Sequence, residues 1–223
     1  MNISASTKIG VVATEYPLAT RVFARHGIDF CCGGGKPISA ACESAGVDTS
    51  TILDELGQEL QEAPANTVRW DEVPLGDLID HILVTYHEPL KEELPRLEMM
   101  CRKVHKVHGH RDPERFAGIL RTLLEIKADI EQHLPKEEQI LFPMIRRGQG
   151  QMAEGPISVM EMEHDALGGM LVNMRRLTDD FTFPDDACNT WRALWVGLET
   201  LERDLHEHIH LENNILHKRA LGS

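Results

Sequence analysis

His133-Leu134-Pro135-Lys136-Glu137-Glu138-Gln139-Ile140-Leu141 and His208-Ile209-His210-Leu211-Glu212-Asn213-Asn214-Ile215-Leu216 are two versions of one stretch. Each places His-x-x-x-Glu at the inner end of a long apolar stripe. The first stripe reads Phe116, Ile119, Leu123, Ile126, Ile130, His133, Glu137, Ile140, and the second Trp191, Leu194, Leu198, Leu201, Leu205, His208, Glu212, Ile215. Both step 3-4-3-4-3-4-3, which marks one face of a helix. An imidazole and a carboxylate therefore occupy slots that the pattern reserves for core residues. Burial there is costly unless something pairs with them, and a metal is the simplest partner.

Two further stripes carry one histidine each. Leu83, His87, Leu90, Leu94, Leu97 matches Met160, His164, Leu167, Leu171, Met174, both with 4-3-4-3 steps. The chain thus repeats a pair of helices, a single His on the first and His-x-x-x-Glu on the second. Helices are expected over 73–106, 113–147, 156–179 and 186–220, and short connections make them an antiparallel four-helix bundle. The expected fold class is all-α, with a small N-terminal helical domain over 1–64 and the bundle over 65–223.

If the four stripes face one axis, His87, His133, His164, His208, Glu137 and Glu212 meet there. That is too many donors for one zinc site. It suits two transition-metal ions, each with two imidazoles, both carboxylates bridging, and room for an oxo group or a small ligand. Such donors suit iron without excluding manganese, cobalt or zinc. A lone His on an apolar stripe is more often a satisfied core residue, but six donor residues in matching registers weigh against that reading. The Glu-x-x-His spacing of ferritin-type bundles occurs at Glu161/His164 and Glu207/His210. Glu161, Glu207 and His210 lie off the stripes, are expected to face outward or sideways, and are rejected as ligands.

The 223 residues have room for one bundle and a small second domain. With 23 basic and 36 acidic residues the net charge is −13, which argues against nucleic-acid partners. No apolar run approaches the length of a membrane span, and no basic-then-apolar leader opens the chain, so a cytoplasmic location without a membrane partner is expected. Five cysteines, two of them adjacent, do not resemble a secreted disulfide framework.

The N-terminal segment should form short helices around 17–26, 39–45 and 49–61, with Gly27 and Gly46 as stops and Asp48 as a cap. Between the first two lies Asp29-Phe30-Cys31-Cys32-Gly33-Gly34-Gly35-Lys36-Pro37, and a linker follows near Pro64–Thr67. Adjacent cysteines are poorly placed to bond to each other. Glycines allow close backbone approach, and Lys36 should favour a thiolate nearby. Metal or cluster binding, thiol redox chemistry and client contact all fit. A tight turn with buried, inert thiols is the plainer reading and ranks second, because a paired Cys in a Gly-rich loop is poor core material. A nucleotide-binding loop fails, since Pro37 follows Gly35-Lys36.

Cys42, Cys101 and Cys188 are expected to be packing residues. His105, His108 and His110 read as a solvated cluster near a helix C-terminus, where positive charge is favoured. A secondary metal site or proton relay there ranks lower. His206 and His210 share an i, i+4 spacing on the polar side and are expected at the surface.

The ordered motifs resemble those of the di-iron iron–sulfur cluster repair proteins, also called repair of iron centres proteins. The residues that carry the likeness are Asp29-Phe30-Cys31-Cys32-Gly33-Gly34, Tyr86-His87, His133 through Met144, Gly155 through Asp165, and His208-x-x-Leu211-Glu212-Asn213-Asn214. The resemblance spans nearly the whole chain. It implies an N-terminal double-cysteine domain, a hemerythrin-like bundle and two non-haem iron ions with oxo and carboxylate bridges. The family's terminal ligands fall on His87, His133, His164 and His208, its bridging carboxylates on Glu137 and Glu212, and its cysteine pair on Cys31 and Cys32. Hemerythrin itself carries another His four residues after the third-helix ligand, where this chain has Gly168, leaving a less crowded site suited to labile iron. Two departures stand out. Pro135 lies between His133 and Glu137 and is expected to disturb the helix there. His217-Lys218 replaces the Phe-Pro of Phe142-Pro143, which bears on packing more than on ligation.

The implied function is a stress-response protein that repairs iron–sulfur clusters damaged by oxidative or nitrosative stress, by supplying iron. Cys31 and Cys32 would aid transfer or docking, and two subunits of a homodimer could share a cluster through their cysteine pairs. The partners would be damaged iron–sulfur proteins. An alternative is nitric-oxide binding or reduction at the two irons, with Glu163 or Asp165 as a proton source beside His164. A third reading is a hemerythrin-like sensor of dioxygen, nitric oxide or iron. Whether the chain is an enzyme is left open among these.

Overall fold

A computed structural model describes residues 3–61 and 68–222. The expected linker and the expected domain boundary at 64/65 lie outside the described residues. Every regular element among those described is helical, apart from one isolated bridge between Lys8 and Pro37. Two compact units emerge. One gathers the described residues of Met1–Asp80, Met144–Glu154 and His206–Ser223, and the other His81–Pro143 and Gly155–Leu205.

The first unit opens with four short helices, α1 (Ile9–Glu15), α2 (Ala19–Arg25), α3 (Ile38–Ala45) and α4 (Thr49–Gln61). α1 was not expected from the sequence. It is only seven residues long, and the large apolar side chains it buries are Ile9 and Val12, with Ala13 beside them. Gly27 and Gly46 end α2 and α3 at φ of +62° and +69°, as expected of C-terminal stops. Asp48 Oδ2 accepts the Thr51 amide at 3.0 Å, the expected cap. Ile9, Val22, Phe23, Phe30, Ile38 and Ile52 form the centre of this unit's own core.

The four long segments follow the stripes closely. The first is α5 (Leu75–Ile82), a π turn over Leu83–His87 and α6 (Glu88–His108). The second is α7 (Pro113–Lys136), a π turn over Glu137–Leu141 and α8 (Phe142–Arg146). α9 (Glu154–Leu177) is uninterrupted, and α10 (Asn189–His210) leads through a π turn over Leu211–Leu216 into α11 (His217–Leu221). Asp112 starts α7 by accepting the Arg115 amide at 3.1 Å, with Pro113 at the first helical position. Within the second unit α6 packs on α7, and Phe116, Trp191 and Trp195 form an aromatic cluster with centroids 5.1–6.4 Å apart. Trp195 Nε1 donates to the carbonyls of Thr178 and Thr182. These bonds bracket Asp179, Asp180 and Phe181, which hold φ of +53° to +55° that non-glycine residues rarely adopt.

Candidate metal centre and double-cysteine loop

Three of the four long segments widen into a π turn at the residues that the stripes singled out. In each, an amide bonds the carbonyl five residues back: Glu88 to Leu83, Phe142 to Glu137 and His217 to Glu212. Pro89 and Pro143 directly follow the first two of these bonds. A proline has no N–H for the α-type bond and its ring crowds the carbonyl four residues back, so the turn before it opens. At the third position Lys218 stands instead, and the π turn forms without a proline. Pro135 stays inside α7, and the π turn over Glu137–Leu141 lies between it and Pro143.

The extra residue shifts the stripes. Ile140, expected in the core, is 54% exposed, and Leu141 is buried in its place. In the first segment Leu83 is only half-buried, whereas Ile82, five residues before His87, is fully buried. Ligand-type side chains on a π turn thus point inward in a register that a regular helix does not offer.

Within the second unit His87, His133, Glu137 and His164 are all buried. Glu137 is fully enclosed and neither carboxylate oxygen receives a hydrogen bond, although His87 Nε2 lies 3.5 Å from one and His133 Nε2 3.2 Å from the other. His164 Nε2 sits 3.0 Å from His133 Nε2. Two neutral imidazoles can share one proton there, but a buried carboxylate with no donor beside a facing nitrogen pair is a costly arrangement for protein alone. The spacing fits a metal: two nitrogens each about 2.1 Å from one ion, at roughly a right angle, stand about 3.0 Å apart.

A ring of outer partners orients the histidines. His87 Nδ1 pairs with Glu138 at 3.0 Å, and Lys91 Nζ reaches the same carboxylate at 2.9 Å. His133 Nδ1 pairs with Glu163 at 2.8 Å, and Lys136 pairs with Glu163 as well. Burial alone would raise both carboxyls, but the bonds from Lys91 and His87, and from Lys136 and His133, outweigh it and hold Glu138 and Glu163 below the usual carboxylate range. With the Nδ1 protons so engaged, the Nε2 lone pairs face inward. Glu138 was not singled out from the sequence, because it follows Glu137 off the stripe; its likeness to Glu163 appears only in three dimensions. A cleft of about 140 Å³ beside Lys136 and Glu163 reaches His133 and His164.

Within the first unit His208 and Glu212 are buried with Nε2 and Oε1 3.1 Å apart, matching the 3.2 Å of His133 and Glu137. His210 corrects the sequence expectation. It is buried, not at the surface, with its ring edge-on to Phe30 at 5.6 Å, and burial pushes its imidazole down to about 4. Its partner comes from the N-terminal segment, which the stripes of the bundle do not reveal.

In the double-cysteine loop Asp29 caps its own turn. Oδ1 accepts the amides of Cys31 and Cys32 at 3.0 Å each, and Oδ2 that of Gly33 at 2.8 Å. Cys31 is buried and Cys32 half-buried, with their sulfurs 3.8 Å apart. The bond to Cys32, burial and the Asp29 charge all raise the Cys31 thiol well above its ordinary range. Lys36 is expected to favour a thiolate nearby; at Cys31 the Asp29 carboxylate, 3.3 Å from the sulfur, acts in the opposite sense.

Cys42 and Cys101 are buried as expected, and burial pushes Cys101 up to about 12. Cys188 is exposed, contrary to expectation, and lies 3.2 Å from His108 Nε2. His108 is itself buried against Trp191, so it leaves the solvated cluster expected of His105, His108 and His110. Glu161 and Asp165 are exposed. No helix among the described residues is long and apolar enough to cross a membrane.

Residues 78–220 match the hemerythrin HHE cation-binding domain, and residues 5–60 match a domain of unknown function named ScdA_N. The chain is 45% identical over 213 residues to the iron-sulfur cluster repair protein YtfE of Yersinia pseudotuberculosis serotype IB (strain PB1/+), covering 96% of both chains. Identity and coverage are the same for the YtfE proteins of Yersinia pestis (strain Pestoides F) and Yersinia pseudotuberculosis serotype O:1b (strain IP 31758).

Proposed function

The chain belongs to the iron-sulfur cluster repair family of YtfE and carries that family's hemerythrin-type domain, and from this we propose that it holds two iron ions and supplies iron to damaged iron–sulfur proteins. The observation that carries the reading is Glu137, buried with no donor to either oxygen beside the facing nitrogens of His133 and His164. In this proposal His87, His133, His164 and His208 would be the terminal ligands and Glu137 and Glu212 the shared carboxylates, with two imidazoles to each ion. When bound, the pair of irons supplies a releasable metal store and a place for a small bridging ligand.

The chain's own groups do the rest. Glu138 and Glu163 hold the Nδ1 atoms of His87 and His133 and keep their Nε2 atoms aimed inward. Lys91 and Lys136 balance those carboxylates, so the outer ring adds little net charge. Cys31 and Cys32, on the segment over 1–64, would serve docking or thiol transfer, while the segment over 65–223 stores metal. The client proteins would be iron–sulfur enzymes in the cytoplasm that have lost iron under oxidative or nitrosative stress.

The test is iron transfer. Iron(II)-loaded protein is mixed with a dehydratase whose [4Fe–4S] cluster has lost one iron. Recovery of dehydratase activity beyond that given by equal free iron with a chelator present supports the reading. Recovery no greater than that of free iron rejects it. The cleft beside His133 and His164 favours nitric-oxide binding as a second reading, because it admits a diatomic to those residues. Multiple-turnover nitrous oxide production by the reduced protein would move that reading ahead.

A further inference from the structure

Asn214 stands two residues beyond Glu212 on the π turn over Leu211–Leu216, and it is buried. Its amide nitrogen donates to the Cys31 carbonyl at 2.9 Å and the Phe30 carbonyl at 3.3 Å, and lies 3.2 Å from His210 Nδ1. Its oxygen accepts from Lys218 Nζ at 3.0 Å. One side chain thus ties the backbone of the double-cysteine loop to the turn that carries Glu212.

The surrounding sequence is built to admit that side chain. A Cβ at Gly34 would fall inside contact distance of Asn214 Oδ1, and a Cβ at Gly10 would collide with the same oxygen. Gly10 and Gly34 are themselves joined by a backbone bond of 2.9 Å. The middle glycine of Gly33-Gly34-Gly35 is therefore required by Asn214, a purpose that the loop's own geometry does not explain. The fit is two-sided: a glycine from α1 and one from the loop make the slot, and the π turn fills it.

We propose that Asn214 is a positioning residue that sets Cys31 and Cys32 in register with the Glu212-bearing turn, so that metal loading at Glu212 governs access to the two thiols. This coupling rests on the di-iron reading above; the positioning itself does not. A π turn is a one-residue insertion and can relax toward a regular helix, which would rotate Asn214 out of its slot. Iron bound at Glu212 holds the turn open and Asn214 bonded. In the metal-free chain nothing fixes the turn that carries Asn214, and the loop loses this tie more often.

The test uses the full chain and measures iodoacetamide alkylation of each cysteine by mass spectrometry, with and without iron(II). Asn214→Asp keeps the shape but turns the donor into an acceptor facing two carbonyls, and Gly34→Ala blocks the slot from the other side. In metal-free protein both variants should alkylate Cys31 about tenfold faster than wild type, with Cys42 of the same core unchanged. Unchanged Cys31 in both variants overturns the positioning role, and so does Cys42 rising in step with Cys31 in both. Iron(II) should slow wild-type alkylation of Cys31 and Cys32, and Asn214→Asp should bind iron yet lose that dependence. Wild type that binds iron without any change in its thiols overturns the coupling. Wild type that binds no iron sinks the di-iron reading and leaves the metal-free comparison to decide Asn214.

Discussion

The Nε2 atoms of His133 and His164 face each other 3.0 Å apart, each ring buried, with Glu137 Oε1 3.2 Å from the first. His133 is held from behind by Glu163 at 2.8 Å. This tethering has a measurable consequence. Glu163→Gln and Glu138→Gln should each weaken iron binding by about 10- to 100-fold while leaving the far-ultraviolet spectrum unchanged. Competition with a chelator of known affinity checks it, and unaltered affinity in both variants would show that the outer carboxylates do not orient the histidines.

The π turn over Glu137–Leu141 exchanges the roles of two neighbouring residues. Regular 3-4 spacing places Ile140 in the core, whereas Leu141 is 1% exposed and Ile140 54%. Leu141→Ala should therefore cost about 2–4 kcal/mol. Ile140→Ala should stay within about 0.5 kcal/mol. Urea unfolding of the two variants is the check, and the reverse order would mean that the helix runs through Glu137 without widening.

Periodicity made the long helices legible, because burying one face demands it. The segments ending at His108, Arg146, Leu177 and Leu221 lie within two residues of the ends read from the stripes at 106, 147, 179 and 220. The same periodicity hid the π turns: the stripe misreads Ile140 in the second segment, whereas Ile215 on the turn over Leu211–Leu216 is buried as the stripe requires. The sequence carries a signal for two of them: Pro89 and Pro143 each follow a residue whose amide makes the longer bond, whereas Pro135 sits within regular helix. Glu138 escaped notice because its partner His87 lies 51 residues earlier. His210 was misplaced for the same kind of reason, as its ring packs on Phe30 from a segment read separately.

Cys31 carries a pH dependence of definite sign. The fold favours its neutral thiol, so its pKa is raised above the ordinary value of 9.0. This contribution to stability is fully present below pH 9 and is lost as pH rises through the folded value. Alkylation of Cys31 in the native chain should thus stay slow at pH 8.5 and keep climbing above pH 9.5, while in urea it follows an ordinary thiol curve. A native Cys31 that titrates below 9 would show that Lys36 after all outweighs burial and Asp29.

On the di-iron proposal these histidines and carboxylates hold two iron ions. Iron per chain, measured with the optical spectrum after anaerobic loading and desalting, tests it most directly in wild type, His164→Ala and Glu212→Ala. About two irons per wild-type chain, falling in both variants while the helical signal persists, is the expected result. No retained iron in wild type, or iron unaffected by both substitutions, would contradict it.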